Sequence, residues 1–411
     1  MSESKRKDSG SLALRGPRWP LTRPHGPASR AFVRLGAMIE SGRVSLQFPD
    51  GRTWVFGERE PHGIMSVNRM RALSRTLLGG HLGFAESYMD GDWDSPSLVD
   101  LIEVAARNDS VEAATDGLAF VRWPSRLFHR LRDNTRRGSR RNIAYHYDLG
   151  NDFYARWLDP GMTYSSAYYE HPEQSLQEAQ AAKNRRLAES LDLRPGHRVL
   201  EIGCGWGGLA EMLARDYGCH VTALTLSRQQ HDHAVRRMRE AGLSERVEIR
   251  LQDYRDVPET FDRIASVEMF EAVGERHWPV FFDVVRERLK AGGRAALQII
   301  SIEESRFERY RAGTDFIQRY IFPGGMLPSP TVLQQEIERA GLALRSADLF
   351  GLSYARTLAA WQRAFQHAWP EIGQIGFDAR FKRMWEYYLA YCEAGFRTGA
   401  LDVGQYVLVR T

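Results

Sequence analysis

The stretch that decides the fold is VLEIGCGWGGLAEMLA, residues 199–214. Its apolar start predicts a buried strand, its glycines predict a tight turn, and its end has the apolar spacing of a helix. Gly203, Gly205 and Gly208 also fit the spacing G-x-G-x-x-G, in which glycines let the backbone approach a bound ligand. This spacing alone indicates a ligand only weakly, and a tight turn that binds nothing would look the same.

Two details favour S-adenosylmethionine (SAM) over a nicotinamide dinucleotide as the ligand of this turn. Glu201 precedes the first glycine by two residues, which gives the pattern E-x-G-x-G-x-G seen in SAM-dependent methyltransferases. The carboxylate can bind the cationic amino group of the methionine part. A nicotinamide enzyme would place Asp or Glu at the end of the next strand to bind the ribose. Here that end is TLSRQQ, with Thr225 and Gln230 as its polar side chains.

Strand and helix patterns alternate around this turn. The predicted strands are 197–203, 220–226, 247–253, 261–270 and 293–301. The alternation predicts an α/β fold with a doubly wound, Rossmann-like parallel sheet, to which a small α+β domain is joined at the N-terminus. Ligands of such sheets bind beyond the carboxyl ends of the strands. The carboxylate of Glu271, just past one strand end, is therefore expected at the site.

The length of 411 residues favours more than one domain. Residues 1–28 have the Pro, Ser, Gly, Lys and Arg content of a disordered tail. Residues 30–120 are predicted to form the small domain, because GRVSLQFPDGRTWVFG within them alternates like a hairpin. Residues 121–141 are a basic linker, and residues 142–411 are the methyltransferase domain.

The charge distribution and the cysteine content indicate which partners and which redox compartment to expect. The net charge is +4, yet eight arginines and one acid lie between Arg122 and Arg141. This segment is either a solvated linker or an arm for an anionic surface, such as lipid headgroups or nucleic acid. Cys204, Cys219 and Cys392 are scattered, so we expect no disulfide framework, no metal site and a reducing cytoplasm. No signal peptide or membrane-spanning run is apparent.

A series of motifs follows one order along the chain: HYDLGNDFYARWLDP, MTYSSAYYE, VLEIGCGWGGLA, LTLSRQQ, LQDYRD, FDRIASVEMFEAVG, RYIFPGGMLPS and YARTLAAW. In this order they resemble the cyclopropane fatty acid synthase family, strongly over 142–411 and weakly over 30–120. The weak part includes GFAESYMDGDWD, residues 83–94. The resemblance implies transfer of the SAM methyl group to the cis double bond of an unsaturated phospholipid acyl chain, giving a cyclopropane fatty acid. It also implies an apolar pocket for that chain.

The resemblance implies two groups of site residues. SAM is expected to be bound by Tyr164, Ser165, Glu201, Gly203, Gly205, Thr225, Gln230, Asp253 and Tyr254. A bicarbonate ion, which accepts the departing proton, is expected to be bound by Ser166, Glu271, Gln298, Ile300 and Tyr354.

The sequence departs from the family pattern at the ion site. The family usually has Cys where this chain has Ser166, and His where it has Gln298. Serine still offers a backbone N–H, and glutamine still donates a hydrogen bond but cannot carry a positive charge. We therefore predict an altered ion site in which Glu271 organises the proton acceptor. Glu268 either adds a carboxylate near the site or pairs with an arginine.

Two alternatives stay open at this stage. The same methyl transfer without ring closure would give a methyl-branched chain or a furan fatty acid precursor, and the changes at Ser166 and Gln298 favour it somewhat. A nucleic-acid methyltransferase is a distant alternative, because neither an NPPY-like motif nor a paired-cysteine loop is present. The expected partners are an unsaturated phospholipid and an anionic membrane surface, without nucleic acid and with a homodimer possible. The expected location is the cytoplasm, at the inner face of the membrane.

Overall fold

The computed structural model describes residues 27–108 and 149–411. The predicted tail up to residue 26 and the predicted basic linker lie outside these ranges, as does the start of the first motif. No helix within the described ranges is both long and apolar enough to cross a membrane.

The N-terminal part, residues 27–108, has its own four-stranded sheet in the order β2-β1-β3-β4. Strands β1 and β2 form the predicted hairpin, in which Gln47 pairs with Thr53. Trp54 and Phe56 of β2 face the core, whereas Val55 between them is exposed. The elements are α1 (Pro27–Gly36), β1 (Arg43–Gln47), β2 (Thr53–Gly57), β3 (His62–Val67), α2 (Arg71–Met89), β4 (Trp93–Asp94) and α3 (Leu98–Ala106).

The remaining described residues form the catalytic part around a seven-stranded sheet, in the order β10-β11-β9-β8-β5-β6-β7. The strands are β5 (Arg198–Ile202), β6 (His220–Thr225), β7 (Val247–Leu251), β8 (Phe261–Val267), β9 (Leu289–Ile302), β10 (Leu342–Leu349) and β11 (Leu401–Arg410). Strands β5 to β9 are parallel, which confirms the predicted doubly wound sheet. Strands β10 and β11 extend it in antiparallel fashion.

Nine helices of the described catalytic part cover or extend this sheet. They are α4 (Asn151–Ala155), α5 (Leu176–Ser190), α6 (Gly208–Tyr217), α7 (Arg228–Glu240), α8 (Trp278–Arg288), α9 (Glu304–Ala312), α10 (Pro330–Arg339), α11 (Gly351–Gln374) and α12 (Ala379–Arg397). Helix α12 joins the two parts, because Arg383 donates to the backbone carbonyl of Trp93 at 2.6 Å. Arg397 also pairs with Glu103 of α3.

Four predicted strands extend past the observed ends, and the difference is largest for the strand predicted over 261–270. The strand predicted over 261–270 ends at Val267, and a 3₁₀ turn at Phe270–Ala272 follows. The reason is the backbone of Glu268, which has φ 49°, a left-handed conformation that non-glycine residues seldom adopt. This conformation ends the strand and redirects the Glu268 side chain.

Candidate active site

The glycine turn between β5 and α6 opens onto a large cavity of about 940 Å³. Gly203 and Gly205 have φ values of +85° and +54°, and a Cβ added to Gly205 would meet no atom within 4 Å. Glu201 is buried beside the turn, and its Oε2 has no hydrogen-bond partner. Burial raises the pKa of Glu201 to about 7. A cationic amino group bound here would give this oxygen a partner, so the turn fits the methionine part of SAM.

The structure brings every predicted SAM residue to the wall of this one cavity. At the end of β6, the Thr225 hydroxyl lies 2.8 Å from Gln230 Oε1. The hydroxyls of Tyr164 and Tyr388 are 2.8 Å apart. Asp253 forms an ion pair with Arg255 at 2.7 Å. The residues that share this wall are Tyr164, Ser165, Glu201, Gly203, Gly205, Thr225, Gln230, Asp253 and Tyr254.

A partly buried carboxylate, Glu268, lies on the wall of the same cavity. Its Oε1 accepts hydrogen bonds from the Ser166 backbone N–H at 2.7 Å and from Gln298 Nε2 at 2.8 Å. Its Oε2 accepts from the Tyr354 hydroxyl at 2.6 Å. Gln405 donates to Gln298 Oε1, which leaves the amide N–H₂ of Gln298 facing Glu268. The side chain of Glu268 is thus fixed by three donors.

The family model described as mycolic acid cyclopropane synthetase matches residues 134–406. The chain belongs to this family. Because its relatives are lipid methyltransferases, this family member is a SAM-dependent methyltransferase that acts on lipid acyl chains. The predicted enzyme class and family are therefore confirmed.

Two relatives and one solved structure illustrate the similarity. The tuberculostearic acid methyltransferase of Mycobacterium tuberculosis is 38% identical over 97% of both chains. The cyclopropane-fatty-acyl-phospholipid synthase of Escherichia coli K12 is 40% identical over 82% of this chain and 85% of its own. The crystal structure of a mycolic acid cyclopropane synthase complexed with SAH and CTAB has a TM-score of 0.62 and 31% identity, and covers 66% of this chain and 98% of its own.

The donors predicted to bind bicarbonate in this methyltransferase contact carboxyl groups of the chain itself. Three of its predicted donors, on Ser166, Gln298 and Tyr354, bind Glu268. A fourth, the Ile300 N–H, binds Glu271 Oε1 at 2.6 Å. An added bicarbonate would compete for these donors and place a further negative charge beside two partly buried carboxyl groups. The residues present therefore do not fit the ion, because the Glu268 carboxylate already holds its donors.

The two carboxyl groups of the methyltransferase differ in their surroundings. Burial, followed by the charge of Glu268, raises the pKa of Glu271 to about 8, and Glu271 Oε2 has no partner. Burial also raises the pKa of Glu268, but its three hydrogen bonds and the buried ammonium of Lys183 oppose this. The three donors and Lys183 favour the charged form of Glu268, whereas burial and the charge of Glu268 favour the protonated form of Glu271. The prediction that Glu271 organises the acceptor stays a prediction, and Glu268 is the carboxylate that three donors bind.

Proposed function

We propose that the enzyme methylates the cis double bond of an unsaturated phospholipid acyl chain, and that Glu268 accepts the proton that leaves afterwards. The observation that carries this proposal is the fixed Glu268 carboxylate on the wall of the cavity that holds the glycine turn. When bound at that turn, SAM supplies an electrophilic methyl group. Apolar and aromatic side chains form the wall for the acyl chain, and they include Ile317, Phe322, Leu358, Tyr387, Tyr391 and Phe396.

The chain's own groups must position a poor nucleophile and then remove a proton. The electron pair of the alkene would form the new carbon–carbon bond as the bond from the methyl carbon to sulfur breaks and S-adenosylhomocysteine leaves. A positive charge then remains on the neighbouring carbon. The rings of Tyr354 and Phe396, 4.5 Å apart on this wall, offer aromatic faces that stabilise a cation. Glu268 then takes a proton, and the freed electron pair either restores a double bond or closes a ring.

We propose a methylated chain without a ring as the product. The sequence differs from the family pattern at Ser166 and Gln298, and both contact Glu268, which holds the donors expected for the ion. The relative that matches over 97% of both chains is named a methyltransferase. A cyclopropane is the second candidate, which the 40% identity to the Escherichia coli synthase favours.

We expect the enzyme, given SAM with a fully deuterated methyl group, to yield lipids that keep all of the transferred deuterium. Ring closure removes one hydrogen from the methyl group, whereas a double bond forms by loss of a hydrogen from a chain carbon. Mass spectrometry of the lipid fatty acids measures the difference. A product that lacks one deuterium would contradict the proposed product, because the proton then leaves from the transferred methyl group, as it does in ring closure. The absence of any labelled lipid would contradict the proposed substrate.

Lys183 is expected to keep Glu268 ionised. It is buried in α5, its ammonium donates to Ser165 Oγ at 3.0 Å, and burial lowers its pKa to about 8 against the charges of Glu268, Asp159 and Glu201. In Lys183→Met, loss of this charge raises the pKa of Glu268. The acidic limb of the pH profile of kcat/KM should move upward by about one unit or more. An unchanged limb in a folded variant would show that Lys183 only fills space.

We further propose that the arginines between Arg122 and Arg141 dock the enzyme on an anionic membrane, at the cytoplasmic face. The support is the sequence charge of this segment together with a substrate that resides in a bilayer. A homodimer stays a prediction.

A further inference from the structure

The catalytic cavity continues into the N-terminal part of the chain. Its wall includes Leu46 of β1, Phe56 of β2, Met65 of β3 and Val104 of α3. These side chains are the core of the N-terminal part, since Leu46, Met65 and Val104 are at most 2% exposed. The core of a small domain therefore borders the same open space as the glycine turn and Glu268.

Open space among core side chains is unfavourable for the stability of a small domain. Protein interiors are close-packed, and a void left among apolar side chains lowers stability in proportion to its volume. A large apolar cavity that leads to a reaction centre is the usual form of a binding site. The N-terminal part thus lacks packing contacts at a place where a bound ligand can supply them.

Helix α2 is shaped to keep this space free. Gly80, with φ 56° and ψ −144°, breaks the helix, and a Cβ on Gly83 would lie 2.1 Å from the backbone oxygen of Arg75. A Cβ on Gly79 would meet no atom within 4 Å. The glycines of GGHLG therefore leave parts of the cavity wall without side chains, beside His81 and Leu82.

We propose that the N-terminal part binds the methyl-terminal end of the substrate acyl chain and so sets which carbons reach Glu268. This rests on the acyl-chain methylation proposed above. The cavity wall formed by β1, β2 and β3 is apolar, so a phosphate there would lose its hydration without compensation. The arginines on the wall all come from the catalytic part: Arg255, Arg306, Arg309 and Arg319. The polarity of the wall therefore assigns the tail, and not the headgroup, to the N-terminal part.

The proposal is tested with a substitution that narrows the space beside α2. Gly79→Phe adds a ring where the backbone is not left-handed and the space is open. Leu78→Phe is the matched control, because Leu78 is 69% exposed. Both variants are assayed on phosphatidylglycerol vesicles whose acyl chains share one double-bond position but differ in the number of carbons beyond it. Gly79→Phe should shift the kcat/KM ratio toward the shorter tail by on the order of tenfold or more, and Leu78→Phe should not.

A second readout is independent of turnover. A phosphatidylglycerol with a diazirine at the end of its monounsaturated chain should crosslink to peptides from 43–67 or 76–84. Crosslinks confined to the catalytic part, or an unchanged length preference in a folded Gly79→Phe that binds SAM, would overturn the tail site. Crosslinking to these N-terminal peptides without methylation of any lipid would instead refute the proposed reaction and leave the tail site supported.

Discussion

Replacing Glu268 by Gln is expected to lower turnover by about 10²–10⁴-fold, the usual contribution of a positioned acid–base group. The amide keeps the shape of the side chain and can still accept from Tyr354, but it cannot take a proton from the methylated acyl chain. SAM affinity should stay close to that of the wild type, because the glycine turn is not changed. Single-turnover methylation and calorimetry with SAM separate the two effects.

Glu271→Gln is the matched control for this substitution. The pKa of Glu271 is raised to about 8, which favours its protonated form, and a glutamine keeps its carbonyl acceptor for the Ile300 N–H. We therefore expect a much smaller loss of turnover than in Glu268→Gln. Equal losses in the two variants, or full activity in Glu268→Gln, would show that the proton acceptor lies elsewhere.

The backbone of Glu268 supports a functional role. A left-handed conformation costs a non-glycine residue about 1–3 kcal/mol, and such strain persists only where the surroundings over-determine it. Here the Glu268 N–H donates to the Gln298 carbonyl at 2.9 Å, while the side chain holds three donors. The fold thus pins both ends of the residue and keeps the carboxylate at the cavity wall.

Local sequence signals predicted the parts of the fold that local physics determines. Strand β5 and the glycine turn follow from an apolar run and from positions that require a positive φ, and the hairpin of β1 and β2 follows from alternation around a turn. The carboxyl ends of parallel strands then identified the edge at which the site lies. Motif resemblance added the residues that share the cavity wall.

The sequence left open whether Glu268 lies near the site or pairs with an arginine, and its hydrogen-bond donors could not be predicted. Its direction depends on a backbone angle that tertiary contacts hold, and its donors come from distant parts of the chain. Ser166 is 102 residues away, and Tyr354 is 86. In a strand that continued to Phe270, the Glu268 side chain would lie on the same face as Phe270. The left-handed backbone angle of Glu268 breaks this alternation. The signal that could have been used was a second carboxylate beside two departures from the family pattern at the ion site.

Replacing Gly205 by Val is expected to weaken SAM binding by on the order of 10- to 100-fold or more. Its φ of +54° lies in the region that a β-branched residue seldom adopts, and its Cβ would project into open space beside Glu201. Overpacking costs about 1–3 kcal/mol, and each 1.4 kcal/mol corresponds to a tenfold change in affinity. Calorimetry with SAM, on protein whose thermal unfolding is measured in parallel, gives the result.

Gly242→Val separates loss of the ligand site from backbone strain. Gly242 has φ +68° and also has no atom within 4 Å of an added Cβ, but it lies in the turn after α7 and not on the cavity wall. Both variants should therefore lose stability through the strained angle, while only Gly205→Val loses SAM affinity. Equal SAM affinities in the two variants would mean that the space beside Gly205 does not receive the cofactor. In that case, the unpaired oxygen of Glu201 would need another cationic partner.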